Sequence, residues 1–322
     1  MIRINKKKWI SNNINLIPDF IISGAMKSAT TTIHEVLSYH PDIFIPRSEI
    51  RFFELDNILQ HPRFHSFDKN TKSWTGRLDG KKLEESWNWY HNLYKGNESK
   101  IKGEDSTSYL ASRTAAQRIA SQNKNIKMIF LLRQPSLRAF SQYLHMLRSG
   151  TAMWSFEDTL VHNPYSVLTR SLYKEQLQHY YDVLPSNQIK VILFEDLVSD
   201  PERVLINLST FLKIDFNLFP KDIFNTHANR AKLPKFPELQ MQGNKIIENL
   251  GPRYINDLQN RKYQPISHKV FEKIYDNFNP SIAKAAPKIN RSTKDYLDSY
   301  FYKELFEIEE LVGQKILTKW FN

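Results

Sequence analysis

An α/β fold with a central parallel sheet flanked by helices is the architecture that the 322-residue sequence predicts, and three observations carry the prediction. Short apolar runs recur at residues 20–22, 127–132 and 189–194, each followed by a stretch with helical spacing. The runs are continuous rather than alternating, which marks strands buried on both faces, as in parallel sheets covered by helices. A hydrophobic fraction of 41% with 13% aromatics is enough for a packed core and too high for a disordered chain.

The elements follow in order. Phe20, Ile21 and Ile22 form the first strand, ahead of Gly24 and a helix with Ile33, Val36 and Leu37 on one stripe and Tyr39 close behind. The second run ends at Arg133. Pro135 then opens a helix with Leu137, Phe140, Leu144 and Leu147 as its apolar positions, closed by Gly150. The third run precedes Glu195 and Asp196, and Asp200 with Pro201 opens a helix carrying Val204, Leu208, Phe211 and Leu212. Residues 56–100 and 215–288 are less regular and rich in aromatics, Asn, Lys and Pro. They read as excursions from one domain spanning 1–322, placed to cover a site. Residues 292–322 return to helical periodicity.

Composition excludes several classes. Without cysteine there is no disulfide framework, thiolate zinc site, iron–sulfur cluster or cysteine nucleophile. No apolar run approaches the roughly 20 residues a bilayer requires, so no membrane span is expected. The N-terminus is basic at Arg3, Lys6, Lys7 and Lys8 but lacks an apolar signal core, and a cytoplasmic chain is the expectation. A net charge of +11 points to an anionic partner: nucleic acid, an acidic membrane surface, or a phosphate- or sulfate-bearing ligand. Scattered surface lysines would give the same number, and residues 6–8 form the only tight basic run. No nucleic-acid-binding motif accompanies the charge, so no nucleic-acid partner is expected.

In parallel sheets ligands bind beyond the carboxyl ends of the strands. The residues to inspect are therefore 24–32, 133–141 and the pair Glu195 and Asp196. Gly24 to Thr32 joins a strand to a helix, where unpaired N–H groups and the helix dipole favour an anion. Lys27 adds a full charge, and Ser28, Thr30, Thr31 and Thr32 add hydroxyl donors. Thr30 or Thr31 as a plain helix cap is the simpler reading, though it leaves Lys27 without a purpose. The loop lacks the Gly-Lys-Ser/Thr ending of a nucleotide triphosphate loop. Arg133 ends a strand, and Ser141 sits between apolar neighbours on the next helix. A guanidinium and a hydroxyl there suit a second phosphate.

The pattern strand, Gly-x-x-Lys-x-x-Thr-Thr, helix, followed by strand, Leu-Arg-x-Pro and Arg-Ala-x-Ser-x-Tyr, resembles sulfotransferases that use 3′-phosphoadenosine 5′-phosphosulfate (PAPS). It is most similar to their heparan-sulfate-type, carbohydrate-sulfating branch. Ser38, Tyr39, His40 and Pro41 match a Ser-x-His-Pro element after the first helix. Glu49, Phe52 and Phe53 match Glu-x-x-Phe-Phe, and Trp89 with Tyr90 matches a Trp-Tyr pair. Glu104, Ser106 and Tyr109 match Glu-x-Ser-x-x-Tyr, and Leu311, Val312, Gly313 and Trp320 resemble the family's chain end.

The resemblance implies a sulfotransferase fold akin to P-loop NTPases and transfer of a sulfuryl group from PAPS to a hydroxyl or amine, leaving PAP, without a metal. It implies a carbohydrate or glycolipid acceptor. Lys27, Ser28, Ala29, Thr30, Thr31 and Thr32 would hold the 5′-phosphosulfate, and Arg133 and Ser141 the 3′-phosphate. Glu49 would be the general base, with Lys27 stabilising the leaving phosphate. Arg51, Glu104 and Trp89 are candidate acceptor contacts, and Glu104 is a second candidate base. Four departures stand out. Ala29 replaces a usual Gly, which predicts a negative φ there. Arg51 replaces a frequent His, Asp105 a frequent Lys, and Thr107 a Pro.

Plainer readings stand beside these. Glu49 could be a solvated loop carboxylate and Glu104 a paired strand-end carboxylate. Trp74, Trp87, Trp89 and Tyr90 could anchor their segment instead of forming a sugar platform. Arg230 and Lys232 could reach the ligands, and no role is assigned to His34, His40 or His145. The alternative function is a P-loop-type small-molecule kinase or NTPase, with Glu195 and Asp196 as its metal-side carboxylates.

Overall fold

The computed structural model describes residues 9–78, 83–223, 232–249, 278–283 and 287–321. Its centre is a five-stranded parallel sheet of β1 (Phe20–Ile22), β2 (Ile43–Phe44), β5 (Ile101–Asp105), β6 (Lys127–Leu132) and β7 (Ile189–Leu193), in the order β2-β5-β1-β6-β7. A hairpin of β3 (His65–Asp68) and β4 (Ser73–Gly76) and an antiparallel pair of β8 (Lys232–Pro234) and β9 (Ser281–Ala283) lie outside it.

Successive strand side chains point to opposite faces, and both faces are covered. On β6, Met128, Phe130 and Leu132 join one core, and Ile129 and Leu131 join the other. The first core takes α3 (Arg113–Ala120) and α7 (Tyr173–Tyr181) and the aromatic side of α2 (Leu83–Asn92). The second takes α1 (Thr30–Ser38), through Ile33, Val36 and Leu37, α8 (Phe194–Ser199), through Leu197, and α9 (Pro201–Leu212), through Val204, Leu205, Leu208 and Leu212. The carboxylate of Asp200 caps α9 by accepting the Arg203 N–H at 3.1 Å, as Asp-Pro at a helix start predicts.

A third core joins α4 (Pro135–Arg148), α5 (Phe156–His162) and α6 (Tyr165–Leu168) to the helix Arg291–Glu304. Here the structure departs from the periodicity. Pro135, Ser136, Arg138, Ala139, Tyr143 and Leu147 are the buried positions of α4, whereas Leu137, Phe140 and Leu144 are half-buried and line a cleft. The apolar stripe of this helix partly serves the cleft. A buried arginine, Arg138, takes its place inside, donating to Ser171 Oγ at 2.5 Å and to the Val167 carbonyl.

The chain leaves β1 through Gly24, clamped between its neighbours. Gly24 O accepts from Leu131 N–H at 2.6 Å, and Ser23 O accepts from Leu110 N–H at 2.8 Å. Gly24 has φ +125, and a Cβ there would lie 2.6 Å from the Thr107 carbonyl oxygen. We expect Gly24→Ala to destabilise the fold by on the order of 3 kcal/mol, from backbone strain and overpacking together. Urea unfolding reads this as a lower midpoint at unchanged slope; an unchanged midpoint would refute it.

Candidate active site

A cleft of about 1070 Å³ opens at the carboxyl end of the sheet. The segments leaving β1, β5, β6 and β7 all reach it, through Lys27, Thr107, Arg133 and Phe194. This follows from topology: β1 lies between β5 and β6, and the chain crosses from one side of it to the other, leaving a crevice above the switch.

Met26, Lys27, Ala29, Thr30, Thr31 and Thr32 form one wall. Ala29 is the N-cap of α1 with φ 67, and Lys27 has φ 71. The negative φ expected of Ala29 is therefore wrong. The left-handed turn is kept without glycine, because the clamped chain before it and the packed helix after it leave no other path. No side chain caps α1, so the first-turn N–H groups face the cleft end without a capping oxygen. Ser28 does not line the cleft: it is fully buried, and its hydroxyl has no partner among the described residues.

Arg133 and Ser141 stand on the neighbouring wall. Arg133 Nη1 donates to the Lys27 carbonyl at 3.3 Å, and its guanidinium lies 4.5 Å from the Phe194 ring centre. Its Nε is buried without a partner among the described residues. One turn beyond Ser141, the same face of α4 presents His145 and Arg148. Sequence reasoning assigned no role to His145 and did not notice Arg148; extending the helical spacing from Ser141 by four and seven residues would have found both. Burial, then Lys27 and Arg148, push His145 down to about 4, so it is neutral near pH 7. Its Nδ1 accepts from Arg148 Nη2 at 3.2 Å.

Glu49 and Arg51 face these walls. Glu49 Oε1 accepts from Thr107 Oγ1 at 3.0 Å, and Oε2 accepts from Arg51 Nε at 2.9 Å and from Arg51 Nη2. Asp105 pairs with His34 of α1 at 3.1 Å. Two of the three departures from the family pattern near the acceptor side, Arg51 and Thr107, thus hold Glu49 directly.

The lining carries Lys27, Arg51, Arg133, Arg148, Lys288, Arg291 and Lys294, against the one carboxylate of Glu49 among the described residues. Of these, Arg291 pairs with Asp295 and Lys294 with Asp298. Burial first, then Arg148, with smaller contributions from Arg138 and Arg133, lower the Lys27 pKa, while Glu49 opposes them. Burial likewise lowers that of Arg133. Cations crowded in this way are poised for an anion.

Several anticipated contacts lie elsewhere. Glu104 is fully buried and does not line the cleft; it is bonded by Tyr90 and Ser106. Trp89 is half-buried with its ring 6.5 Å from Phe52, and Trp87 and Tyr90 are buried in the first core. Trp74 is exposed beside Phe67 on the hairpin. Residues 56–100 contribute nothing to the cleft lining among the described residues, whereas 215–288 contribute Leu233, Pro287 and Lys288. Arg230 lies outside the described residues, as does the Lys232 side chain. Glu195 and Asp196 are spent on structure. Glu195 accepts from Gln134 N–H and Trp320 Nε1 at 2.9 Å each, and Asp196 pairs with Lys319 at 2.6 Å. This disfavours the kinase reading. Among the described residues no group of three or more His, Asp or Glu side chains is placed to hold a metal ion, and no helix is long and apolar enough to cross a membrane.

Comparison with known proteins gives three findings. A profile described as "Sulfotransferase family" matches residues 18–217. The human heparan sulfate glucosamine 3-O-sulfotransferase 3B1 is 24% identical over 273 residues, 82% of this chain and 61% of the relative. The mouse heparan sulfate glucosamine 3-O-sulfotransferase 3A1 is 26% identical over 274 residues, again 82% and 61%. The chain thus spans about three fifths of the length of these relatives. A solved sulfotransferase from Alicyclobacillus acidocaldarius shares the fold, with a TM-score of 0.62, 21% identity, and coverage of 95% of this chain and 99% of that one.

Proposed function

This chain belongs to the sulfotransferase family, and from that premise we propose that it moves the sulfuryl group of PAPS to a hydroxyl or amine of a carbohydrate or glycolipid acceptor. The observation that carries the reading is one cleft that joins an uncapped helix N-terminus, Lys27 and Arg133 on one side to Glu49 on the other.

The residues present fit a donor with two separated anionic ends. The first-turn N–H groups of α1, Lys27 and the Thr30 to Thr32 hydroxyls would hold one end. Arg133, whose buried Nε lacks a partner among the described residues, would hold the other with Ser141. When bound, PAPS supplies a sulfuryl group joined to a phosphate that leaves as an anion. Lys27, already surrounded by cations, regains a favourable environment beside that anion and stabilises its departure. Glu49, steadied by Thr107 and Arg51, accepts the proton of the attacking group. The walls do the rest by holding the reactants in line. The similarity to heparan sulfate enzymes supports a carbohydrate acceptor.

The test is a thermal-shift titration with PAP on wild type and Arg133→Ala, followed by a labelled-PAPS screen over acceptor classes. Wild type should be stabilised by about 2.7 kcal/mol at a hundredfold excess over Kd, and Arg133→Ala should need on the order of tenfold more PAP for the same shift. No shift at millimolar PAP would sink the reading.

A further inference from the structure

The turn that carries Glu49 is held by one neighbouring segment. Residues 49–54 lie along residues 104–109, and the contacts pair off down their length. Thr107 Oγ1 donates to Glu49 Oε1 at 3.0 Å, Ile50 N–H to the Asp105 carbonyl at 3.3 Å, and Arg51 N–H to Ser106 Oγ at 2.8 Å. Phe53 N–H donates to Tyr109 Oη at 3.0 Å, and Ser108 Oγ donates to Glu54. Arg51 has φ 57, a conformation that a non-glycine residue keeps only where its surroundings hold it.

Ser106 decides that grip. A serine hydroxyl has one hydrogen, and that of Ser106 points to Glu104 Oε1 at 2.7 Å. Its lone pairs are thereby left for the Arg51 N–H. Tyr90 Oη donates to the other oxygen of Glu104. We infer that Glu104 is a positioning residue: its carboxylate orients Ser106, Ser106 holds the Arg51 backbone, and the held turn presents Glu49 to the cleft. The inference rests on the reading of Glu49 as general base.

The arrangement calls for an ionised Glu104, since the hydroxyls of Tyr90, Tyr109 and Ser106 converge on it. Yet Glu104 is fully buried, and the groups facing it are Tyr90 from α2, Tyr94 just after that helix, Tyr109, Tyr180 from α7, and Asp105 beside it. None of these is a cation. Burial without a cation pushes Glu104 up to about 7, against the hydrogen bonds from Tyr90, Tyr109 and Ser106. Once protonated, one of its oxygens becomes a donor. Tyr90, Tyr109 or Ser106 must then turn its own hydrogen away, and a Ser106 hydroxyl released from Glu104 is free to swing its hydrogen toward the Arg51 N–H and loosen that bond. Transfer should therefore weaken as pH falls through about 7.

The experiment measures kcat and KM for PAPS against pH, and thermal midpoint against pH, for wild type, Ser106→Ala, Ser106→Thr, Glu104→Gln and Glu49→Gln. In Ser106→Ala we expect kcat to fall on the order of tenfold with KM for PAPS and the PAP thermal shift unchanged, and the limb near neutral pH to disappear. Ser106→Thr, which keeps the hydroxyl, should restore both. Glu104→Gln should also lose the limb. The thermal midpoint adds a readout independent of turnover. A carboxyl whose folded pKa is raised stabilises the fold fully below its ordinary value of 4.5 and has lost that stability once pH passes the folded value, so the wild-type midpoint should drop between 4.5 and about 7 and level off above. Ser106→Ala should keep that drop and Glu104→Gln should lose it. Wild-type kcat and limb in Ser106→Ala, or a limb surviving in Glu104→Gln, would overturn the inference. If Glu104→Gln does not fold, Ser106→Ala decides alone. Full activity in Glu49→Gln would instead overturn the base assignment, whereas an inactive Glu49→Gln beside an unaffected Ser106→Ala would remove the positioning role only.

Discussion

Glu49→Gln is expected to lower kcat by roughly 10²–10⁴-fold while PAP affinity stays within about twofold. The substitution keeps the shape of the side chain and an oxygen for the Thr107 hydroxyl, which donates to Glu49 at 3.0 Å. It removes the charge that pairs with Arg51 and the ability to take a proton. The split between turnover and donor binding is diagnostic, because Glu49 stands across the cleft elements from Lys27 and Arg133 and is the single carboxylate of the lining among the described residues. Steady-state transfer with labelled donor and a PAP titration on the same preparation measure both quantities. Undiminished transfer would remove Glu49 from its role.

Lys27→Ala should act on both. Its ammonium is expected to stabilise the leaving phosphate, so kcat should fall by roughly 10²–10³-fold, the loss typical of removing one charge-stabilising donor. PAP affinity should weaken as well. The electrostatics add a pH signature with a definite sign. Burial and the surrounding arginines lower the Lys27 pKa, so its charge is lost at a lower pH than that of an ordinary lysine. PAP affinity of the wild type should decline on the alkaline side, and this decline should be missing in Lys27→Ala. Equal PAP affinity in the two proteins would contradict the assignment of this wall to the phosphate end.

Much of the cleft was legible because its signals are local. Lys27, the following hydroxyls and Arg133 sit at strand-to-helix junctions that apolar runs mark directly, Ser141 lies on the helix that follows one of them, and the structure brings them to one cavity, except for the buried Ser28. His145, Arg148 and Lys288 were not found. The first two share a helix face with Ser141, but a charged or imidazole side chain on a helix is indistinguishable from a surface residue until the opposite wall is known. Lys288 reaches the cleft from far along the chain, which no periodicity reports.

The sequence by itself determined the α/β class, the three apolar strands, the capped start of α9 and the loop after β1 that lines the cleft, since each rests on residues adjacent in the chain. Tertiary structure alone decided three things. It made β5, whose residues Lys102, Gly103, Glu104 and Asp105 are all buried, a strand inside the sheet. Lys102 is tolerated there by pairing with Asp19 at 3.2 Å, and Glu104 by Tyr90 and Ser106. It turned part of the apolar stripe of α4 toward the cleft and buried Arg138 inside. It also placed Ala29 and Arg51 in left-handed conformations that their own propensities oppose. The common reason is that a buried polar group or a strained backbone is stable only with partners distant in the chain, and those partners exist only once the sheet has assembled.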